Sequence, residues 1–205
     1  MAATQTDGRP TSPDAALARL MEGNVRYAEG RMQSQNLPAA RDGLAAGQAP
    51  FAAVIRCADS RVAPEIVFDQ SLGDLFVCGV AGNIPTPEIV ASLEYAVAVL
   101  GTKLIVVMGH ASCGAVGAAM EHRHDSGALP GTLPALIDQI IARCTANADP
   151  TAPDALEKAI ACNARQGIDE LMQGSRIIAE AVEAGSLRVV AGVQDLQSGR
   201  FTLVD

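Results

Sequence analysis

Two stretches share one plan: Phe51-Ala52-Ala53-Val54-Ile55-Arg56-Cys57-Ala58-Asp59-Ser60-Arg61 and Leu104-Ile105-Val106-Val107-Met108-Gly109-His110-Ala111-Ser112-Cys113-Gly114. In each, a continuous apolar run ends in a cluster of reactive side chains. Neither run alternates apolar with polar residues, so each reads as a strand covered on both faces, as in a parallel sheet flanked by helices. Residues leaving the carboxyl ends of such strands build the sites of open α/β folds. Cys57, His110 and Cys113 thus bring together two thiols and an imidazole, donors that Zn2+ prefers, with a fourth position left for water or a side chain. Three protein ligands plus an open position is the catalytic pattern, whereas structural zinc sites close with four. His110 and Cys113 lie three apart at a strand-to-helix junction, so one turn of backbone can aim both at one point. Asp59 and Arg61, two apart after the first strand, are either an orienting pair or a structural ion pair; either way the Arg keeps the carboxylate ionised.

The elements around these motifs extend the α/β pattern. Pro64-Glu65 opens a short helix, and Leu75 to Val80 reads as a second strand. After the turn Ala81-Gly82-Asn83, Thr86-Pro87-Glu88 starts a helix with Ile89, Val90, Leu93, Val97 and Leu100 on one face and Gly101 as its stop. The strand from Lys103 to Met108 then completes a β-α-β unit. Helices are expected at Ser112 to Met120, Leu133 to Arg143, Ala155 to Met172 and from Ser175 to Gly185, with Asp149-Pro150-Thr151-Ala152-Pro153 as a break. Leu187 to Val193 reads as the last buried strand and Arg200 to Val204 as a short terminal one. At the other end, residues 1–13 read as a loose tail, and Asp14 as the N-cap of a helix with Ala16, Leu17, Leu20, Met21 and Val25 on its apolar face. A polar connector through Asn36 and Pro38 leads to a short helix, Ala39 to Ala46. Residues 14–205 are expected to form one α/β domain, with the one-sided helices of 14–46 packing on their own sheet or on a partner subunit.

A chain of 205 residues suits one domain with a sizeable core. With aromatics at 3% and no Trp, that core must come from Ala, Val, Leu and Ile. The net charge of -8 argues against a general nucleic-acid or anionic-membrane surface. No apolar run reaches the roughly 20 residues of a membrane span, and no secretory signal pattern precedes the domain. Five Cys in such a chain point to a reducing compartment, with thiols and metal ligands rather than disulfides; the expected location is the cytoplasm. Cys78, Cys144 and Cys162 read as core residues, and His122 and His124 as loop surface. No G-x-G-x-x-G dinucleotide fingerprint is present.

Cys57-Ala58-Asp59-Ser60-Arg61 with His110-Ala111-Ser112-Cys113-Gly114 resembles the β-class carbonic anhydrases. Gly23-Asn24-Val25-Arg26-Tyr27, Gly47-Gln48-Ala49-Pro50, Val80-Ala81-Gly82-Asn83 and Leu93-Glu94-Tyr95-Ala96-Val97 extend the likeness over roughly residues 14–204. The resemblance implies a mostly parallel sheet with an antiparallel edge strand, and one Zn2+ per subunit held by Cys57, His110 and Cys113. It makes Asp59 and Arg61 the orienting dyad. It puts Gln48, from across a dimer interface, with Phe76, Tyr95 and the Gly114 N–H around the CO2/bicarbonate pocket, in a homodimer or homotetramer. Some members bind inhibitory bicarbonate through a Trp and an Arg at positions that here are Val54 and Gly79. The resemblance therefore implies the subtype without that control, in which Asp59 pairs with Arg61.

The implied reaction is reversible hydration of CO2 by attack of zinc-bound hydroxide. Two thiolates should leave the zinc water less acidic than three imidazoles do, so activity should rise toward mildly alkaline pH. Alternatives are hydrolysis of carbonyl sulfide or carbon disulfide at the same site, a metal-independent cysteine hydrolase with Cys113 as nucleophile, and a catalytically silent zinc- or bicarbonate-binding protein.

Overall fold

The computed structural model describes residues 8–35, 37–145, 149 and 151–204. The expectations for residues 1–7, for Asn36 in the connector and for Pro150 in the break lie outside the described residues. Five strands form one sheet: β1 (Ala52–Arg56), β2 (Leu75–Gly79), β3 (Leu104–His110), β4 (Arg188–Gln194) and β5 (Phe201–Val204), in the order β2-β1-β3-β4-β5. All neighbours run parallel except β4 and β5, which are antiparallel. The mostly parallel sheet with one antiparallel edge is therefore as expected.

The helices are α1 (Pro13–Ala28), α2 (Leu37–Ala45), α3 (Pro64–Val67), α4 (Pro87–Ala98), α5 (Gly114–Glu121), α6 (Leu133–Ile140), α7 (Ala155–Gly174) and α8 (Arg176–Glu183). Alternation along the central strands feeds two apolar layers. Ala52 and Val54 of β1 with Leu104, Val106 and Met108 of β3 pack in a cluster with Leu20 of α1, Val67 of α3, Val116 of α5 and Ile140 of α6. Ala53, Ile55, Ile105 and Val107 pack with Leu93 of α4, Leu171 of α7 and Ile178 of α8. All seven residues of β3 are buried, which is why its sequence is continuously apolar.

The chain runs from β1 outward to β2, then crosses back to β3 on the other side of β1. That reversal makes the carboxyl ends of β1 and β3 the switch point, where loops diverge and a crevice opens. Arg56 is in register with Met108, so Cys57 and His110 leave adjacent strand ends within one residue of the same level of the sheet.

Four local differences from the sequence reading have physical causes. The α1 cap is Ser12, not Asp14: Ser12 is extended and its hydroxyl accepts from the Ala15 N–H at 3.2 Å, while Pro13 begins the helix and Asp14 sits in its first turn. The helix after His110 starts at Gly114 rather than Ser112, because Ser112 adopts φ 54° and turns the chain first. The helix expected from Leu133 to Arg143 ends at Ile140 and continues as a π-helical turn, Ile141–Thr145. Finally, Cys144 in that turn and Cys162 on α7 form a disulfide, with Cα atoms 5.8 Å apart. Only the fold brings these two together, and the argument for a reducing compartment loses one of its premises. Among the described residues, no helix is long and apolar enough to cross a membrane.

The Gly23-Asn24-Val25-Arg26-Tyr27 stretch ties α1 to its own sheet. Gly23 passes so close to α3 that a Cβ would sit 1.8 Å from the Phe68 carbonyl oxygen. Buried Asn24 donates to the carbonyls of Val67 (3.1 Å) and Gly199 (2.9 Å) and accepts from the Phe201 N–H (2.7 Å). Arg26 pairs with Asp69 at 2.5 Å. In contrast, α2 buries none of its residues within the chain.

Candidate metal centre

Cys57 follows β1, His110 ends β3 and Cys113 caps α5; all three are buried. Their ligand atoms lie within 4.8 Å of one another, the two sulfurs being 4.0 Å apart. The left-handed Ser112 makes this possible by folding the backbone so that residues 110 and 113 face one point. The Ala111 N–H donates to the Gln194 carbonyl at 2.8 Å, which anchors the exit from β3 to the neighbouring strand.

His110 Nδ1 lies 2.9 Å from the Ala111 carbonyl. Donating a proton there leaves Nε2 with a free lone pair. That Nε2 is buried without a hydrogen-bond partner among the described residues and faces the Asp59 carboxylate at 3.8 Å. An orphaned buried nitrogen beside two sulfurs is costly unless a cation takes the lone pair. The N,S,S donor set, with room for a fourth ligand, suits tetrahedral Zn2+. The three residues fit the metal.

The charges agree with this geometry. Cys113 as donor holds Cys57 down at about 4 against the opposition of burial, with help from His110 and the Gly82 N–H. The same sulfur–sulfur contact, reinforced by burial, pushes the Cys113 thiol up. A divalent ion held here would take both sulfurs as thiolates and would favour their deprotonated forms. Burial is the largest single influence on His110 and lowers its affinity for protons, but the contacts with Cys57, the Ala111 carbonyl and Asp59 together outweigh it and the net shift is upward.

Asp59 and Arg61 form a two-point pair: Arg61 Nε donates to Oδ1 at 2.9 Å and Nη2 to Oδ2 at 2.6 Å, with the Arg61 backbone N–H also on Oδ1. The Arg61 guanidinium is the main cause that holds the Asp59 carboxyl well below the usual carboxylate range.

The other expected residues fall elsewhere in the chain. Gly114 begins α5 beside Cys113, and no atom of the described residues crowds the side where a Cβ would stand. Phe76 is in register with Ala53, four residues before Cys57, and its ring lies 6.5 Å from that of half-exposed Tyr95 on α4. Gln48 is exposed in the segment leading into β1, whereas Cys57 follows the far end of that strand. Val54 is core. Beside Gly79 there is no hole, since a Cβ there would meet the Arg56 guanidinium at 3.4 Å. Sequence reasoning gave no role to Gly82 or Asn163: the Gly82 N–H donates to Cys57 Sγ at 3.4 Å, and Asn163 Nδ2 donates to the Gly82 carbonyl at 2.8 Å. The Gly in a turn was a signal for the first; an Asn within a helix offered none for the second.

Residues 52–201 match the carbonic anhydrase family, and the chain belongs to its β class as an enzyme of that family. It is 42% identical over 200 residues to carbonic anhydrase 2 of Mycobacterium tuberculosis, covering 95% of this chain and 94% of that protein. It is 37% identical over 201 residues to the carbonic anhydrase of Mycolicibacterium smegmatis, with 94% of each chain covered. Among solved structures it superposes on the β-carbonic anhydrase CcaA with a TM-score of 0.71 and 28% identity, over 92% of this chain and 87% of that one. The Coccomyxa β-carbonic anhydrase in complex with acetazolamide gives a TM-score of 0.71 at 28% identity, over 91% and 85% of the two chains. A chain from the crystal structures of two tetrameric β-carbonic anhydrases of the ascomycete Sordaria macrospora gives 0.67 at 28% identity, over 81% and 86%.

Proposed function

We propose that this protein catalyses CO2 + H2O ⇌ HCO3− + H+ at a zinc ion held by Cys57, His110 and Cys113. One observation carries the reading: a fully buried His110 Nε2 with no hydrogen-bond partner among the described residues, aimed among two sulfurs and an anchored carboxylate. When bound, the metal supplies Lewis-acid activation of a water molecule.

The protein's own residues do the rest. Asp59 accepts a hydrogen bond from the attacking water and so orients its lone pair toward carbon. It does not act as the proton's final acceptor, because Arg61 keeps it too weak a base near neutral pH. Arg61 holds both carboxylate oxygens, which fixes the direction of the free lone pairs. The Asp59–Arg61 pairing supports the subtype without inhibitory bicarbonate control. The Gly114 N–H offers a donor to a bicarbonate oxygen.

Gln48 from a second copy of the chain, in a homodimer or homotetramer, completes the pocket with Phe76 and Tyr95. The place of Gln48 before β1, at the opposite end of that strand from Cys57, the half-exposed Tyr95 and the unburied α2 support that assignment. The tetrameric relatives agree with it.

Stopped-flow CO2 hydration on protein of known zinc content, from about pH 7 to 9, tests the reading. A fast rate that rises with pH and is lost together with zinc in Cys57→Ser supports it. A zinc-loaded protein that leaves CO2 hydration at the buffer rate overturns it, and turnover of carbonyl sulfide or carbon disulfide would then be the measurement to make.

A further inference from the structure

A second line of contacts reaches Cys57 from the far side of the domain. Gly82 is clamped at three points. Its N–H lies on Cys57 Sγ at 3.4 Å, its carbonyl accepts from Asn163 Nδ2 at 2.8 Å, and a Cβ on it would stand 2.5 Å from Ile140 Cδ1. Asn163 is fully buried on α7. Its own backbone carbonyl accepts from Arg143 Nη2 at 2.9 Å. Arg143 belongs to the π-helical turn, and its Nε stands 3.1 Å from Glu170 Oε1 on α7. Cys144 follows Arg143 and Cys162 precedes Asn163, and these two cysteines form the disulfide. The covalent link therefore joins the segment that carries Asn163 to the turn whose Arg143 holds the Asn163 carbonyl.

We propose that Asn163 is a positioning residue of the metal centre, holding Gly82 so that its N–H stays on Cys57 Sγ, and that the Cys144–Cys162 disulfide is the staple that keeps Asn163 in place. The proposal rests on the reading of Cys57 as a metal ligand. A hydrogen bond to a ligand sulfur sets the ligand's direction and withdraws electron density from it, so outer groups of this kind tune both affinity and reactivity. Gly82 sits at φ +78°, and its buried carbonyl would lose its amide partner if Asn163 moved. The π-helical turn is the less regular of the two segments, so the covalent tie matters most there.

The staple is also a point of control. A dithiol reductant would open it by exchange: its two sulfurs become a disulfide, and Cys144 and Cys162 leave as thiols with the two protons. Cys162 is exposed and Cys144 half-buried, so the bond is within reach of such a reagent.

The test uses the full chain loaded with Co2+, whose thiolate charge-transfer absorption reports directly on the sulfur ligands, with affinity measured by chelator competition. Asn163→Asp keeps the shape and removes the donor; Asn163→Leu removes both polar groups. Each is expected to shift the charge-transfer band and to weaken metal binding about tenfold, the low end for outer groups of a metal site. The Cys144→Ser/Cys162→Ser protein should shift both readouts in the same direction by less. General loss of stability would not move the band of protein that is folded by circular dichroism. Should neither Asn163 variant fold, the double-serine protein decides. Wild-type band and affinity in the folded variants overturn the proposal, and a silent double-serine protein beside shifted Asn163 variants overturns the staple. If wild-type protein shows no thiolate band at all, Cys57 is not a ligand and the functional reading itself fails.

Discussion

Replacing Gly82 by Ala probes the turn behind Cys57 in two separable ways. The residue adopts φ +78°, where a side chain on an L-residue costs about 1–2 kcal/mol. The new methyl would also stand 2.5 Å from Ile140 Cδ1 in a fully buried layer, and such overpacking costs about 1–3 kcal/mol. Together the two effects predict a loss of about 2–5 kcal/mol. Ile140→Val removes the offending Cδ1 and by itself costs about 0.5–1.5 kcal/mol. In the double variant the 2.5 Å clash is gone, while the 3.3 Å approach of Ile140 Cγ1 and the backbone strain stay. The two changes should therefore be less than additive by about 1–3 kcal/mol, most of the overpacking. Urea unfolding of the metal-free proteins measures this cycle without a contribution from metal binding. Additivity within about 0.5 kcal/mol, or a Gly82→Ala cost below that, would refute the reasoning.

Other expectations rest on separate parts of the molecule. Arg61→Gln should return the Asp59 carboxyl toward its ordinary value, as carbon-13 NMR of the carboxyl can follow. Because the folded-state pKa is depressed in the wild type, the stability due to this pair is present above the unfolded value of about 3.9 and disappears as pH falls through the folded one. The stability difference between wild type and Arg61→Gln should accordingly shrink between about pH 5 and 2. The Cys144–Cys162 disulfide closes a separation of 18 residues, worth about 3 kcal/mol by chain entropy. Scanning calorimetry of the double-serine protein should then show a Tm lower by roughly 6–12 °C, and an unchanged Tm would contradict the estimate. Asp69 has no exposed side-chain surface, pairs with Arg26 and accepts from the Gln33 N–H. Asp69→Asn should cost about 3 kcal/mol in denaturant unfolding, the low end for a broken buried pair because Arg26 is partly exposed.

The residues that carry the chemistry were legible because their surroundings leave marks in one dimension. Continuous apolar runs before Cys57 and His110 announce strands covered on both faces, and two thiols with an imidazole at adjacent strand ends are the donor types that zinc takes. Asp59 and Arg61 pair locally, two residues apart, so their contact needs no long-range packing. The α1 cap was misplaced by two residues because Ser12, Pro13 and Asp14 all suit a helix start, and only backbone angles separate them.

What no local pattern could hold is the meeting of segments far apart in the chain. The 4.0 Å approach of Cys57 to Cys113 is created by β1 and β3 becoming neighbours at the switch point. The Cys144–Cys162 disulfide exists because a π-helical turn faces α7, although both cysteines read as ordinary core residues. The bond from Asn163 to Gly82 spans 81 positions. The sequence by itself determined the strands, the donor types and the ion pair, since these depend on side-chain chemistry and short-range periodicity. The tertiary structure alone decided which donors share a point and what stands behind them, because such contacts form only when burial of two apolar layers forces distant segments together.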